Sequence, residues 1–583
     1  MKREMRWLSM ILAAVMVLSL AACGGSAGTT DTNTGKTSTT TSTPKADAPA
    51  ATDEKKDDAA ASTPAATDDS AAAPAADYAT AEEILSRDFS TPYTIEYAGV
   101  QLQDGNDNNH GNAYDEWWSS TFNVEWDATS LTFENWAQRM NTWLNADDIP
   151  EWCVWNFNAG DAINYVDQDI LLKLPDGWKE KYPNLAASQD LVPAAKYYEE
   201  MFGGTYFIFR PVYATNFPAD VVTSHYAVNL RKDWAEQAGY DLSKNIESNT
   251  ITLDEFIAYN QAVKDAGIIE YPFVGTTSHF ISLAGMTCEH DGGSMTAYYK
   301  GEDGKYHWGP AEESSGVKAQ LTKLKQMYDN GLVYPEFYTI LNDDDQPYFH
   351  TSAQAASICG NGMAVMMDRC TTYMRENLGL DYWEVGLELV LTDENGVHHG
   401  DPSGNYWACN IISPYIDEDK LERLLTIWDF DCTEYGQMCV RMGVPEVDWT
   451  YDDNGNLVNL LEGKEGSITQ KYDVVPIIYG NMVVLSDDFG FVNPAFDARA
   501  RQRISDLMIL RAGITTARDK EMDWDFLSYS SQALNLASMN YADEYANLIT
   551  KSGDFSANYD QWVQEKMALV QPVLDDLNEK FGE

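Results

Sequence analysis

The chain has 583 residues and a formal net charge of −52 at pH 7. That charge excludes a nucleic-acid partner, whose phosphates demand a basic surface, and it opposes flat adhesion to anionic lipid. Beyond Tyr78 roughly 500 residues rich in Trp, Tyr and Phe remain, ample for two packed lobes.

Lys2, Arg3 and Arg6 precede about sixteen mostly apolar residues from Trp7 to Ala22, fewer than the roughly twenty that a spanning helix needs. This is the pattern of a secretory signal, residues 1–22. Its end, Leu20-Ala21-Ala22-Cys23, resembles a bacterial lipobox. The resemblance implies cleavage before Cys23 and lipidation of its sulfur, with further acylation such as palmitate on the new amino group. Two or more chains, at about 0.8 kcal/mol per buried CH₂, anchor a protein firmly to a bilayer. From Gly24 to Asp77 there is no Val, Ile, Leu, Met, Phe, Trp or Tyr. Such a stretch buries too little apolar surface to offset its ordering entropy, so residues 23–84 read as a disordered linker with a reach of roughly 40 Å.

The folded part interleaves strands and helices. TPYTIEYAGV (91–100) alternates as a strand, and LTFENWAQRMNTWL (131–144) sets Phe133, Trp136, Met140 and Trp143 on one helical face. PEWCVWNF (150–157) reads as a buried strand. TLDEFIAYNQAVKDAG opens on the capping box Thr252…Glu255 and stops at Gly267. SSGVKAQLTKLKQMYDNGLV and DEDKLERLLTIWDF repeat the helical stripe. Asp303-Gly304, Asn395-Gly396 and Asn454-Gly455 predict hairpins. His398 and His399 beside the second of these read as solvated residues rather than metal ligands. Seven cysteines besides Cys23 are scattered with no CxxC pair, as buried small hydrophobes are rather than a disulfide framework. The alternation of elements predicts an α/β chain.

YAVNLRKDWAEQAGYD (226–241) resembles a signature of the bacterial extracellular solute-binding proteins (family 1), the lipoproteins of carbohydrate ABC importers. Further segments follow in that family's order: ADDIPEWCVWNF (146–157), ILLKLPDGWKEKYPNL (170–185), TLDEF (252–256), GLVYPEFYT (331–339), GNGMAVMMDR (360–369) and YGQMCVRMGVPEVDWTYDDNGN (435–456). The resemblance implies a two-lobed, periplasmic-binding-protein-like (type II) clamp with discontinuous domains. Its first lobe is expected at 85–224 and 350–404 and its second at 225–349 and 405–583, with hinge strands near 225–231 and 405–412. GNGMAVMMDR is expected as the strand that returns the chain to the first lobe. Relatives with a calcium loop carry an Asp/Asn-rich run where this chain has KDAGIIEYPFVG (264–275), so neither a metal nor another cofactor is expected.

Sugars present a flat C–H face ringed by hydroxyls, and binding them takes aromatic platforms with polar groups at the ring edges. With 17 Trp and 33 Tyr the chain has both in excess. Position in the resemblance singles out Trp155 and Asn156 at a strand end, Tyr226 and Arg231 on a crossing strand, Asp368 and Arg369 after the returning strand, Trp407 on the second crossing, and Trp308, with His279 a weaker choice. Most such rings are core residues in any protein, and Arg231 is as readily an ion pair with Asp233 at a helix start. No HExxH or Walker loop occurs, and 91 acidic residues make a chance carboxylate pair uninformative. The expectation is a monomeric, non-enzymatic receptor, lipid-anchored on the outer face of the cell membrane, that passes an oligosaccharide to ABC permease subunits. An oligopeptide or other-solute receptor and a surface glycoside-processing enzyme stand as alternatives.

Overall fold

The computed structural model describes residues 78–100, 112–131, 133–155, 159–212, 226–290, 297–341, 344–362, 364–400, 404–461, 468–472, 483, 496–516 and 518–582. The signal, Cys23 and nearly all of the linker lie outside them. The strands in chain order are β1 (Tyr93–Val100), β2 (Val124–Leu131), β3 (Trp152–Trp155), β4 (Ile208–Pro211), β5 (Tyr226–Arg231), β6 (Thr250–Thr252), β7 (Tyr298–Lys300), β8 (Tyr306–Trp308), β9 (Ser357–Asn361), β10 (Gly386–Thr392), β11 (Tyr406–Ile412), β12 (Trp449–Tyr451) and β13 (Leu457–Asn459). They form a five-stranded sheet of order β2-β1-β3-β11-β4, a four-stranded sheet of order β6-β10-β5-β9, and two hairpins, β7-β8 and β12-β13.

Pairing fixes which edges face the connections. In the first sheet β1 runs parallel to β2 and β3, while β11 is antiparallel to both β3 and β4. The carboxyl ends of β1–β4 and the start of β11 therefore lie along one edge. In the second sheet β5 is antiparallel to β9 and β10, with Tyr226 opposite Asn361 and Gly386 opposite Arg231. The start of β5 and the ends of β9 and β10 share an edge there. The chain leaves the first edge after β4 to enter β5, and returns from β10 to β11, so these two edges are the ones the crossings join.

Each sheet has its own core. Under the first lie Trp152, Trp126, Trp428 and Tyr97, closed by helix Glu418–Asp431, whose Leu421, Leu424, Leu425 and Trp428 are buried as the stripe predicts. The second sheet packs on helices Leu253–Asp265 and Val317–Asp329 and on the C-terminal helices Tyr541–Thr550 and Phe555–Phe581. A third cluster joins Val212, just past β4, to Val274, Phe349, Ile358, Met366 and helix Ala498–Ile514, with Trp407 packed against it. Among the described residues no helix is long and apolar enough to cross a membrane.

The Thr252 box forms: Glu255 N–H donates to Thr252 Oγ1 at 3.2 Å and Thr252 N–H donates to Glu255 Oε2 at 3.0 Å. Replacing Thr252 by Ala should cost about 1 kcal/mol in urea unfolding, through loss of one partner for an otherwise orphaned amide. The Asp303-Gly304 and Asn454-Gly455 hairpins form as expected, with Gly304 and Gly455 at φ 75° and 81°. Asn395-Gly396 makes a turn, but the next strand pairs in the other sheet, so no hairpin results. GNGMAVMMDR is not the expected strand: β9 ends at Asn361 and helix Ala364–Tyr373 follows.

The expected lobe segments also need correction. β9 and β10, placed in the first lobe by the 350–404 assignment, pair in the second sheet. β11 and helix Glu418–Asp431, placed in the second lobe with 405–583, pack in the first; among the described residues the segment from Phe496 onward returns to the second-lobe core and the junction cluster. The strands near 225–231 and 405–412 each lie wholly in one sheet, and the crossings precede them.

A carboxylate is buried in the second sheet. Glu388 on β10 is 2% exposed, and neither of its side-chain oxygens meets a hydrogen-bond donor among the described residues. Burial pushes it up from 4.5 to about 7, against the opposing charges of Arg503 and Arg511. A carboxyl raised on folding contributes stability that is full below about pH 4.5 and is lost as pH rises through about 7. Glu388→Gln should remove that slope, leaving the variant on the order of 1–3 kcal/mol more stable than wild type at pH 8, read by urea unfolding from pH 5 to 8.

Candidate functional site

Three tryptophans gather at the crossing edge of the first sheet. Trp155 closes β3, where four successive apolar residues, Trp152–Trp155, are buried on both faces. Trp136, on helix Phe133–Ala146, meets Trp155 edge-on at 5.6 Å and is tied to the same strand by its indole N–H, which donates to Val154 O at 2.9 Å. Trp407, second residue of β11, tilts against Trp136 at 5.9 Å and carries the Arg210 guanidinium over its ring at 5.1 Å.

The local backbone explains how Trp407 gets there. The β11–β4 register shifts between Tyr406 and Cys409, and Ala408, 1% exposed, holds φ 61°. A bulge of this kind re-aims one side chain and costs a non-glycine residue of order 1–2 kcal/mol. Here Trp407 comes to pack against both the first-lobe core and the junction cluster. Nearby, Tyr197 of the first lobe stacks on Trp524 at 4.7 Å and its hydroxyl donates to Trp524 O at 3.0 Å.

One donor in this group has no acceptor. Trp155 is 4% exposed, and its Nε1–H meets no hydrogen-bond partner among the described residues. A buried N–H without a partner costs about 1–3 kcal/mol.

Across the crossing, Tyr226 opens β5 and sits edge-on to His279 at 5.7 Å. His279 lies in the first turn of helix Thr277–Gly285, which Thr276 caps. Its Nδ1 is 2.5 Å from Asp345 Oδ2, and Asp345 is fully buried. Asp345 thereby fixes which way the imidazole faces.

The structure separates the remaining expectations. Arg231 ends β5, five residues from Tyr226 and roughly 17 Å along the strand. It is 3% exposed and bidentate to Asp233 at 2.8 and 2.6 Å, with Trp234 under its guanidinium, so the local ion pair is the outcome. Trp308 is a second-lobe core residue, 1% exposed, packed on Trp562 at 5.5 Å with its N–H donating to Tyr541 Oη. Asp368 and Arg369 follow β9 as expected but stand on helix Ala364–Tyr373. Asp368 is half-buried, raised by that burial, and accepts from Asp497 N–H at 3.3 Å; Arg369 is exposed. Asn156 lies outside the described residues. Trp136, Arg210 and Asp345 were not singled out from sequence. Trp136 reads there only as one of a helical stripe, Asp345 only as the end of the acidic run Asn342-Asp343-Asp344-Asp345, and Arg210 has no local pattern.

Residues 119–373 match the family model described as bacterial extracellular solute-binding protein. The two-lobed clamp is also the fold of solved solute-binding proteins, each spanned by 84% of this chain over 98% of its own length. One is an alginate-binding protein, AlgQ2, solved without calcium ion (14% identity, TM-score 0.61). A second is the Streptococcus pneumoniae ABC-transporter substrate-binding protein FusA, an EF-hand mutant in complex with fructo-nystose (14%, 0.60). A third is an HMO-binding, ABC-transporter-associated solute-binding protein of Bifidobacterium longum infantis (13%, 0.56). A comparison with curated proteins finds no match. The family resemblance and the type II clamp read from the sequence are borne out.

Proposed function

We propose that the protein is an extracellular receptor that closes its two lobes on a carbohydrate, an oligosaccharide, and delivers it unaltered to the permease subunits of an ABC importer. The observation that carries this reading is the tryptophan group at the crossing edge, with a Trp155 N–H that meets no hydrogen-bond partner among the described residues. Indole faces match the C–H face of a sugar, and a buried donor matches a ring or hydroxyl oxygen. Solved proteins of the same fold described as binding fructo-nystose, alginate or HMO support the ligand class. In this reading Trp155, Trp407 and Tyr226 touch the ligand. Cys23, lipidated at the end of the signal, anchors the chain to the membrane, and residues 24–77 give it reach.

The test is a fluorescence titration of the protein with a panel of fructo-, manno-, milk and uronic oligosaccharides. Saturable tryptophan quenching by one class, with the glycan recovered intact, is the expected result. Saturation by peptides alone would overturn the ligand class, and new reducing ends after incubation would overturn the receptor role.

A further inference from the structure

The adjacent histidines expected in a solvated hairpin are both buried, His398 fully and His399 at 7% exposure. They lie on the segment that carries the chain from β10 back to β11. His399 N–H donates to Met286 O at 3.1 Å and His398 N–H to Ile514 O at 3.2 Å, so this stretch is stitched to two second-lobe elements. The His399 ring lies between two carboxylates, with Nδ1 3.1 Å from Asp519 Oδ2 and Nε2 3.6 Å from Asp393 Oδ2. Both acids are themselves fixed. Asp393 Oδ1 accepts from Asn395 and Val397 N–H at 2.9 and 2.8 Å, and Asp519 Oδ2 accepts from Thr516 Oγ1 at 2.7 Å. The first-lobe end of the same crossing is held separately: Asn405 Nδ2 donates to Leu191 O at 2.8 Å, and Val212 N–H donates to Asn405 O at 3.1 Å.

We propose that His399 is a positioning residue for lobe closure: as an imidazolium it gives its Nδ1–H to Asp519 and turns its Nε2–H toward the Asp393 carboxylate, which fixes the second-lobe end of the crossing so that this lobe turns as one body up to His399. The inference rests on the clamp reading of the two lobes. Burial disfavours the charged ring, but the hydrogen bond and charge of Asp519, with the charge of Asp393, outweigh it and hold His399 above its ordinary value of 6.5. Asp393 is held below its own despite burial, by the Val397 and Asn395 amides and by His399.

Two nearby cations among the described residues are engaged elsewhere. Lys520 Nζ donates to Ala512 O, and Lys323 pairs with Glu394 and Asp254. The end of helix Thr277–Gly285 offers the Met286 carbonyl to the His399 amide. A neutral imidazole has a single N–H, so deprotonation leaves one carboxylate facing a ring lone pair. The sign follows: with a raised folded value, the latch is complete below pH 6.5 and is lost as pH rises through that higher value.

The test is amide hydrogen exchange of His398 and His399 in the full chain from pH 6 to 9, corrected for intrinsic exchange, with small-angle scattering over the same range. Wild type should lose at least about fivefold of protection across that interval, with a parallel shift in radius of gyration. His399→Gln should be weakly protected and flat with pH in both measurements. A flat wild-type exchange profile, or a Gln variant as protected as wild type at pH 6, overturns the latch. A radius of gyration that does not follow the exchange profile overturns its role in closure. The wild-type profile decides the matter even if the variant fails to fold. Neither readout involves a glycan, so a chain that binds no sugar would pass or fail independently.

Discussion

Trp155→Phe should weaken glycan capture by roughly two- to tenfold while leaving urea stability within about 1 kcal/mol of wild type. Two terms of opposite sign act on stability. The smaller ring leaves a small void in a site that is 4% exposed, which costs about 1 kcal/mol. The substitution also deletes an N–H that has no partner among the described residues, which returns a similar amount. Binding has no such offset, because the ligand oxygen loses its donor, worth about 0.5–1.5 kcal/mol. Trp407→Ala acts more severely and differently. It removes a ring that packs on Trp136, lies under Arg210 and contacts both the first-lobe core and the junction cluster. A loss of about 2–3 kcal/mol in binding, a factor of roughly 30–150, is expected from an aromatic anchor of this kind. Calorimetric titration with the best glycan of the panel measures both. Equal affinity in wild type and Trp155→Phe would remove the indole N–H from the site.

What was legible in the sequence is what neighbours in the chain decide. The WCVW run of β3, the Thr252…Glu255 box and the two hairpins with Gly304 and Gly455 depend on a few consecutive residues, and all formed. Arg231 with Asp233 is equally local. Sheet membership is not. GLELVLT of β10 and YWACNII of β11 are similar apolar strands separated by thirteen residues, yet one pairs with β5 and the other with β3. Their partners lie more than 150 residues upstream, and no local pattern names them. Trp308 failed as a site residue for the same reason: Trp562, from the far end of the chain, covers it. Trp155 lies at the end of β3 as expected, because a strand's end follows from the strand and its direction alone. The bulge that turns Trp407 rests on an alanine at φ 61°, a residue whose identity gives no hint of that conformation.

Trp152→Ala should destabilise the first lobe by about 4–6 kcal/mol, the largest single-residue effect expected in the chain. Trp152 is fully buried at the centre of the first sheet, with Tyr97, Trp428 and Trp126 rings at 4.1, 5.3 and 5.5 Å. Removing an indole from such a site costs about 3–5 kcal/mol through lost transfer energy and the cavity left behind. A second penalty comes from Asn410. Trp152 Nε1–H donates to Asn410 Oδ1 at 2.8 Å, while Asn410 Nδ2 donates to Ile208 O at 3.0 Å, so one amide joins β3, β11 and β4. Without the indole that oxygen loses this donor, adding on the order of 1 kcal/mol. Trp152→Phe separates the two terms, since it keeps most of the ring packing and loses only the hydrogen bond and a small volume; about half the full cost is expected. Because the second lobe has its own core, unfolding of Trp152→Ala should split into two urea transitions, with the first-lobe tryptophans reporting the earlier one. A single transition less than about 2 kcal/mol below wild type would show that the first sheet does not depend on this ring, and with it that β3, β11 and β4 are joined by something other than the Trp152–Asn410 bond.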